Sequence, residues 1–183
     1  MRICVYCASS RLPDPIYREV AFHMGELLAE GGHTLIYGGG GTGSMGAIAD
    51  GALSRNGEVF GIMPRFLAER ELSHQRLTKL ELVANMRERK HKMLDKSDAV
   101  LALPGGCGTL EELLETITLR RLGQYQNPII LLNTLDFYQP FQTMMAHVVA
   151  ERFMAEGKTV LWQLVDRPEE VLPAIAEATA ISP

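Results

Sequence analysis

Pro104-Gly105-Gly106-Cys107-Gly108-Thr109-Leu110-Glu111-Glu112 brings together residue types that can hold an anion and act on it. Glycines at 105, 106 and 108 permit positive φ and lack the Cβ that would keep a ligand away from bare backbone N–H groups. An apolar run, Val100 to Leu103, precedes the turn, and an amphipathic helix follows it. That helix start adds unpaired amides and the positive end of its dipole, so the whole reads as a phosphate cradle. Glu112 has two readings. With Thr109 it spells a capping box, in which Thr109 caps an amide and Glu112 reaches back to the cap residue. Alternatively its carboxylate acts on whatever the turn holds. A helix needs one turn residue to start, and three glycines with a proline exceed that need, which points to a ligand over the loop.

A second anomaly lies upstream. The helix expected over Met86–Lys96 has Met86, Met93 and Leu94 as its apolar stripe, and Arg89 and Lys90 fall on the same stripe. Lys90 can pack its stem and release its charge to water. Arg89 calls for a partner.

Taken together, Met86-x-x-Arg89-Lys90 and Pro104-Gly105-Gly106-x-Gly108-Thr109-x-x-Glu112 resemble the signature of the LOG (Lonely guy) family, cytokinin riboside 5′-monophosphate phosphoribohydrolases long labelled lysine decarboxylases. The resemblance covers nearly the whole chain. It implies hydrolysis of the N-glycosidic bond of a nucleoside 5′-monophosphate, favouring N6-isoprenylated AMP, with Arg89 and Glu112 catalytic. It also implies substrate contacts from Lys90, Gly105, Gly106, Cys107, Gly108, Thr109, Leu110 and Glu111. Glu71, eighteen residues before Arg89, and Thr118, six after Glu112, match family substrate contacts by separation alone. Cys107 stands where the family commonly has Tyr, and Leu119-Arg120-Arg121 replaces a segment usually containing Trp and Gln, which bears on the base pocket. Glycosidases usually pair two carboxylates around an oxocarbenium-like transition state, and this motif supplies one.

The elements that position these residues are legible as alternating runs. Strands are expected near Ile3–Cys7, Thr34–Tyr37, Val59–Met63, Leu80–Val83, Ala99–Leu103, Pro128–Leu132 and Leu161–Val165. Helices are expected near Pro15–Glu30, Met45–Asn56, Met86–Lys96, Leu110–Leu122, Tyr138–Ala155 and Pro168–Ala178. Asp14-Pro15, Gly31-Gly32, Asn85, Asp166 and Gly157 punctuate helix ends. Ala21, Met24, Leu27 and Leu28 recur at helical spacing and read as core. Strand-then-helix alternation implies an α/β, Rossmann-like, doubly wound parallel sheet of about seven strands, in one domain over residues 1–183. Ligands of such sheets lie beyond the carboxyl ends of the strands, where the strand order reverses.

Two other turns therefore matter. Cys7-Ala8-Ser9-Ser10-Arg11 offers hydroxyls and a guanidinium, with Ser9 a candidate substrate contact, and it is equally readable as an ordinary polar loop. Gly38 to Gly46 contains Gly41-x-Gly43-x-x-Gly46, the dinucleotide fingerprint. That reading also needs an acidic residue at the far end of the next strand, whereas Glu58 sits at its start and Gly61-Ile62-Met63-Pro64 ends it. A P-loop fails for want of a lysine after Gly43. The segment resembles instead the family's nucleotide-lining Tyr-Gly-Gly-Gly, which implicates Gly39 and Gly40.

Composition narrows the classes. The 183 residues are 46% hydrophobic, enough for a substantial core, and the net charge of −4 has no basic block that would suit a nucleic-acid polymer. No apolar stretch approaches bilayer length and no leader-like segment opens the sequence, so a soluble cytoplasmic protein is expected. Three cysteines fit a reducing compartment, and Cys4-x-x-Cys7, within a strand, should point its thiols to opposite faces. The five histidines form no HxxxH or HExxH pattern, so no metal or organic cofactor is expected. A pyridoxal-phosphate decarboxylase would need a Schiff-base lysine, and none adjoins the glycine turns. A non-catalytic nucleotide-binding module would use the same loops as a hydrolase. The resemblance further implies a homodimer, for which Phe141, Met144, Met145, Val148, Val149 and Phe153 offer apolar surface.

Overall fold

The computed structural model describes residues 1–69, 73–155 and 161–181. Its strands are β1 (Arg2–Tyr6), β2 (Thr34–Tyr37), β3 (Val59–Pro64), β4 (Lys79–Val83), β5 (Ala99–Ala102), β6 (Ile129–Leu132) and β7 (Gln163–Val165). Between and after them run α1 (Ile16–Glu30), α2 (Gly43–Ser54), α3 (Arg65–Ala68), α4 (Met86–Asp95), α5 (Cys107–Arg121), α6 (Gln139–Ala150) and α7 (Val171–Ile181). The strands form one parallel sheet in the order β4-β3-β2-β1-β5-β6-β7. Ile3 pairs with Leu35 on one side and Ala99 on the other, which places the reversal of strand order between β1 and β5. The turns that leave β1 and β5 thus flank the crevice where an open α/β sheet binds its ligand.

Period-two alternation gives the sheet two cores. Ile3, Val5, Leu35, Tyr37 and Leu101 pack beneath α1, α2 and α7 through Met24, Leu28, Ile48 and Ile175. Cys4, Tyr6, Ile36, Val100 and Leu131 pack against α4, α5 and α6 through Met93, Leu113, Ile117 and Tyr138. Cys4 and Cys7 belong to different cores and are free and buried. Central strands buried on both faces read as continuous apolar runs, and this is why the sequence marks them clearly.

Helix ends differ from expectation where a cap is set by backbone conformation. Asp14 accepts the amide of Ile16 at 3.0 Å, and Gly31 caps the far end of α1. Arg152, at φ 64°, takes the left-handed conformation just past Ala150, so α6 stops short of Ala155. Gly157 lies outside the described residues. The last helix opens as a 3-10 turn, Pro168–Glu170, capped by Arg167 in place of Asp166. The short α3 and a 3-10 turn at Thr134–Asp136 carry no signal in the sequence. No helix among the described residues is long and apolar enough to cross a membrane.

Candidate active site

Arg89 is carried inward by the first turn of α4. Asn85 caps that helix by accepting the amide of Glu88 at 3.0 Å, and Arg89 then falls on the stripe of Met93, 6% exposed. A buried cation must be met by dipoles or counter-charge. Its Nε donates to the Ile62 carbonyl of β3 at 3.2 Å, and its Nη1 lies 3.8 Å from the Met86 sulfur and 3.7 Å from Oε1 of Glu112. Nη2 stands over Gly38, at the end of β2, 1.8 Å from where a Cβ on that residue would be.

Glu112 meets it from α5. The helix begins at Cys107, with Gly106 as an extended N-cap (φ −84°, ψ −161°) that has no side-chain cap bond. The capping box is therefore not formed: Thr109 sits within the first turn, and Glu112 a turn further on. Placed there, Glu112 points into the protein and is 5% exposed. Among the described residues its carboxylate accepts no hydrogen bond, and Arg89 is its ion-pair partner. Burial pushes its pKa up to about 6, with the Arg89 charge opposing the rise, Glu111 adding to it and Lys90 reducing it. At neutral pH such a carboxylate is mostly ionised and lies close to the range suited to proton transfer.

The backbone around the turn is tied to β1 and to the residue that precedes α6. Tyr138 donates its O–H to the Leu103 carbonyl at 2.8 Å. Thr116 gives its hydroxyl proton to the Glu112 carbonyl at 2.9 Å, so the Tyr6 hydroxyl of β1 must donate to Thr116, at 3.0 Å. The first intrahelical bond of α5 runs from the Leu110 amide to the Gly106 carbonyl at 3.0 Å. The amides of Cys107, Gly108 and Thr109 precede it and have no partner among the described residues. Gly106, Cys107 and Gly108 are exposed, with open space where a Cβ on either glycine would stand. Gly105 instead accommodates Thr109, whose Oγ1 would lie 2.1 Å from a Cβ there. None of the three glycines takes positive φ, so accessibility and close approach explain them and left-handed backbone does not.

The remaining candidates are spread around this pair. Lys90 is half-buried and ion-paired with Glu111 and with Glu115, the latter at 2.9 Å, so its charge is bound across α4 and α5. Leu110 is half-buried behind the turn. Thr118 is exposed and donates to the Leu114 carbonyl at 2.8 Å, about 9 Å along the helix axis from Glu112. Ser9 is exposed, and its carbonyl accepts the Thr42 hydroxyl at 2.8 Å. Gly39 and Gly40 are buried; the Gly39 carbonyl accepts the His74 amide at 3.0 Å, and Gly40 bridges to Ser73. Glu71 lies outside the described residues. The Ile62 carbonyl and the Tyr6–Thr116 pair go unmarked in the sequence, and Gly38 is marked only as one member of the glycine run. For Gly38 a signal exists, since it is the first glycine after β2, but the letters do not say which glycine faces the arginine.

Known proteins bear on this arrangement. A family model described as "Possible lysine decarboxylase" matches residues 45–175. A rice (Oryza sativa subsp. japonica) cytokinin riboside 5′-monophosphate phosphoribohydrolase is 42% identical over 85% of this chain and 64% of its own length. An Arabidopsis thaliana protein of the same name is 40% identical over 84% of this chain and 71% of its own. This chain thus spans about two thirds of the length of those relatives. In fold it is similar to a molybdenum cofactor binding protein of Rippkaea orientalis, with TM-score 0.74 and 21% identity over 97% of this chain and 96% of that one. The molybdenum cofactor carrier protein of Chlamydomonas reinhardtii aligns with TM-score 0.73 and 17% identity over 98% of each chain. At such identities the likeness concerns the fold alone. With the family model and the curated relatives agreeing across most of its length, the chain belongs to the LOG family.

Proposed function

We propose that this protein hydrolyses the N-glycosidic bond of a cytokinin riboside 5′-monophosphate, an N6-isoprenylated AMP, to the free base and ribose 5-phosphate. The observation that carries the reading is the buried Arg89–Glu112 pair, one helical turn behind three amides that have no partner among the described residues, at the crevice between β1 and β5. The amides of Cys107, Gly108 and Thr109, which have no partner among the described residues, bind the 5′-phosphate. That anchors the ribose against α5, where the ionised Glu112 faces the positive charge that develops as the bond to C1′ breaks. The electron pair of the C1′–N bond leaves with the base, and water attacks C1′ from the opposite side. The proton which that water gives up to solvent is balanced by one that the departing base takes from solvent. Arg89 holds the carboxylate ionised and in place. Lys90, Glu111 and Thr118 contact substrate from the rim, with Ser9, Gly39, Gly40 and Leu110 completing the pocket, and the family resemblance adds a substrate contact from Glu71.

The reaction uses water and this chain's own side chains, so chelation should leave it intact. The same reading carries a homodimer in the cytoplasm; the exposure of Met144 at 55% and Phe153 at 81% on and just beyond α6 supports the dimer, although Met145 is buried and Phe141 packs against the chain's own core. The decisive experiment incubates the purified protein with N6-isoprenyl-AMP, AMP and the matching nucleosides and measures free base. Release from the monophosphates, with little from nucleosides, is expected. A protein that releases no base from any of them is a binding module instead.

A further inference from the structure

Gly38 lies in the glycine run after β2, yet its backbone does not require glycine, because its φ is not among the positive values found at Gly39 and Gly43. What requires it is a neighbour. A Cβ at Gly38 would lie 1.8 Å from Nη2 of Arg89 and 3.0 Å from its Cζ, with the Met45 methyl at 3.3 Å. To regain ordinary contact the guanidinium would have to retreat by about 1.5 Å. Its Nε bond to the Ile62 carbonyl at 3.2 Å and its approach to Glu112 at 3.7 Å both depend on where it now sits.

We propose that Gly38 is a positioning residue for the Arg89–Glu112 pair: its missing side chain forms the slot that seats the Arg89 guanidinium between the ends of β2 and β3 and the carboxylate on α5. The inference rests on the proposed function only for what the pair does, and its geometry stands without a substrate. A methyl group there meets the far end of a flexible side chain and little else, so Gly38→Ala should fold with the guanidinium displaced.

The consequence appears at Glu112, whose ionisation is governed by burial and by Arg89, Glu111, Lys90 and Glu115, with Cys4 and Tyr6 of β1 and, just past its end, Cys7 also interacting with its charge. Of these, Arg89 is the cation that the Gly38 substitution would move. Loosening its hold leaves the carboxylate more readily protonated, and its ionised form declines at neutral pH.

The test follows Glu112 by carbon-detected NMR titration in the parent, Gly38→Ala, Arg89→Ala and the double variant, with urea denaturation of each and kcat and KM where base is released. Expected in Gly38→Ala is a Glu112 titration midpoint above the parent's, toward that of Arg89→Ala, and kcat at pH 7 lower by about tenfold or more with KM changed far less. In the Arg89→Ala background the second substitution should cost nothing in stability, because the clashing group is gone. That arm decides the matter even if Gly38→Ala alone fails to fold, since the double variant should then fold. An unmoved Glu112 titration in a folded Gly38→Ala protein, or a double variant destabilised as much as the single one, overturns the proposal. A parent that releases no base from any nucleotide would defeat the proposed function while leaving the titration and the stability cycle able to decide this one.

Discussion

The two glycine turns of this chain look alike in the sequence and are built for opposite purposes. In the turn after β2 the glycines are filled from outside by the protein itself. Gly43 sits at φ 60° with the Ser10 carbonyl oxygen 2.5 Å from where its Cβ would be, and Gly46 has the Gly41 carbonyl oxygen at the same distance. The turn after β5 leaves Gly106 and Gly108 bare, with nothing within 4 Å of a Cβ at either. The Gly43–Gly46 part of the first turn is a packing device that lets the β1 loop and α2 approach, and glycine at positions 43 and 46 is accounted for by the chain's own backbone. The second keeps surface open at unpaired amides. Glycine content alone is therefore a poor guide to a ligand site, and what occupies the absent Cβ is the better one.

The sharpest way to break that contrast is Gly43→Ala. It imposes left-handed backbone on a residue with a side chain and drives a methyl into main-chain atoms of Ser9 and Ser10 that cannot swing aside. A loss of about 3–5 kcal/mol in urea denaturation is expected, enough to unfold a marginal domain. A variant as stable as the parent would mean that this turn is as open as the other.

Next in size is the effect of Glu112→Gln on turnover. A key electrostatic group facing a cationic transition state is worth about 3 kcal/mol or more, so base release should fall by about two orders of magnitude or more while the fold persists. Near-normal turnover would remove the open turn's helix from the chemistry.

How far the letters carry can be judged on these same residues. The central strands are legible because both faces are buried: Thr34–Tyr37 is found where its apolar run places it. Arg89 is legible as a charge on an apolar stripe. Glu112 is not decided by its spacing, because whether Thr109 caps the helix depends on where the backbone turns, and an extended Gly106 moves the start to Cys107. Nor does the sequence give the slot at Gly38, which exists only once β2, β3 and α4 are assembled. Leu135, at φ 52°, takes a left-handed conformation that no local residue preference announces, whereas the neighbouring Asp136, at φ 57°, is of a type that tolerates it.

A smaller effect concerns what the site costs the fold. Burial holds the Glu112 pKa at about 6, above its ordinary value of 4.5. Because the folded-state value is raised, ionisation opposes folding: the penalty is absent below the unfolded value, grows between the two, and is complete above about pH 6. Its full size is about 2 kcal/mol, with the opposing Arg89 charge already included in the shift. Glutamine resembles the protonated acid, so Glu112→Gln should be more stable than the parent by about 1–2 kcal/mol at pH 8, with the difference vanishing near pH 4. Urea denaturation across that range checks it. A difference independent of pH would show that Glu112 is not the buried acid that its geometry makes it.

The smallest expected effect is the most direct probe of the contrast, because Gly108→Ala places the same methyl that wrecks the first turn where it has open space. Gly108 is in the first turn of α5, outside the left-handed region, and a Cβ there meets no atom within 4 Å. Alanine is the better helix former by up to about 1 kcal/mol, so the variant should be as stable as the parent or slightly more so. Its methyl would stand beside the free amides of Cys107, Gly108 and Thr109, where a phosphate oxygen must come within hydrogen-bonding distance of the backbone. The KM for a nucleoside 5′-monophosphate should rise about tenfold, a loss of about 1.4 kcal/mol, while the slow hydrolysis of the corresponding nucleoside is unchanged. Equal losses on both substrates would mean that the turn shapes the pocket as a whole and does not hold the phosphate. A destabilised protein with unaltered KM would erase the distinction between the two turns, since Gly108 would then be a packing glycine like Gly43.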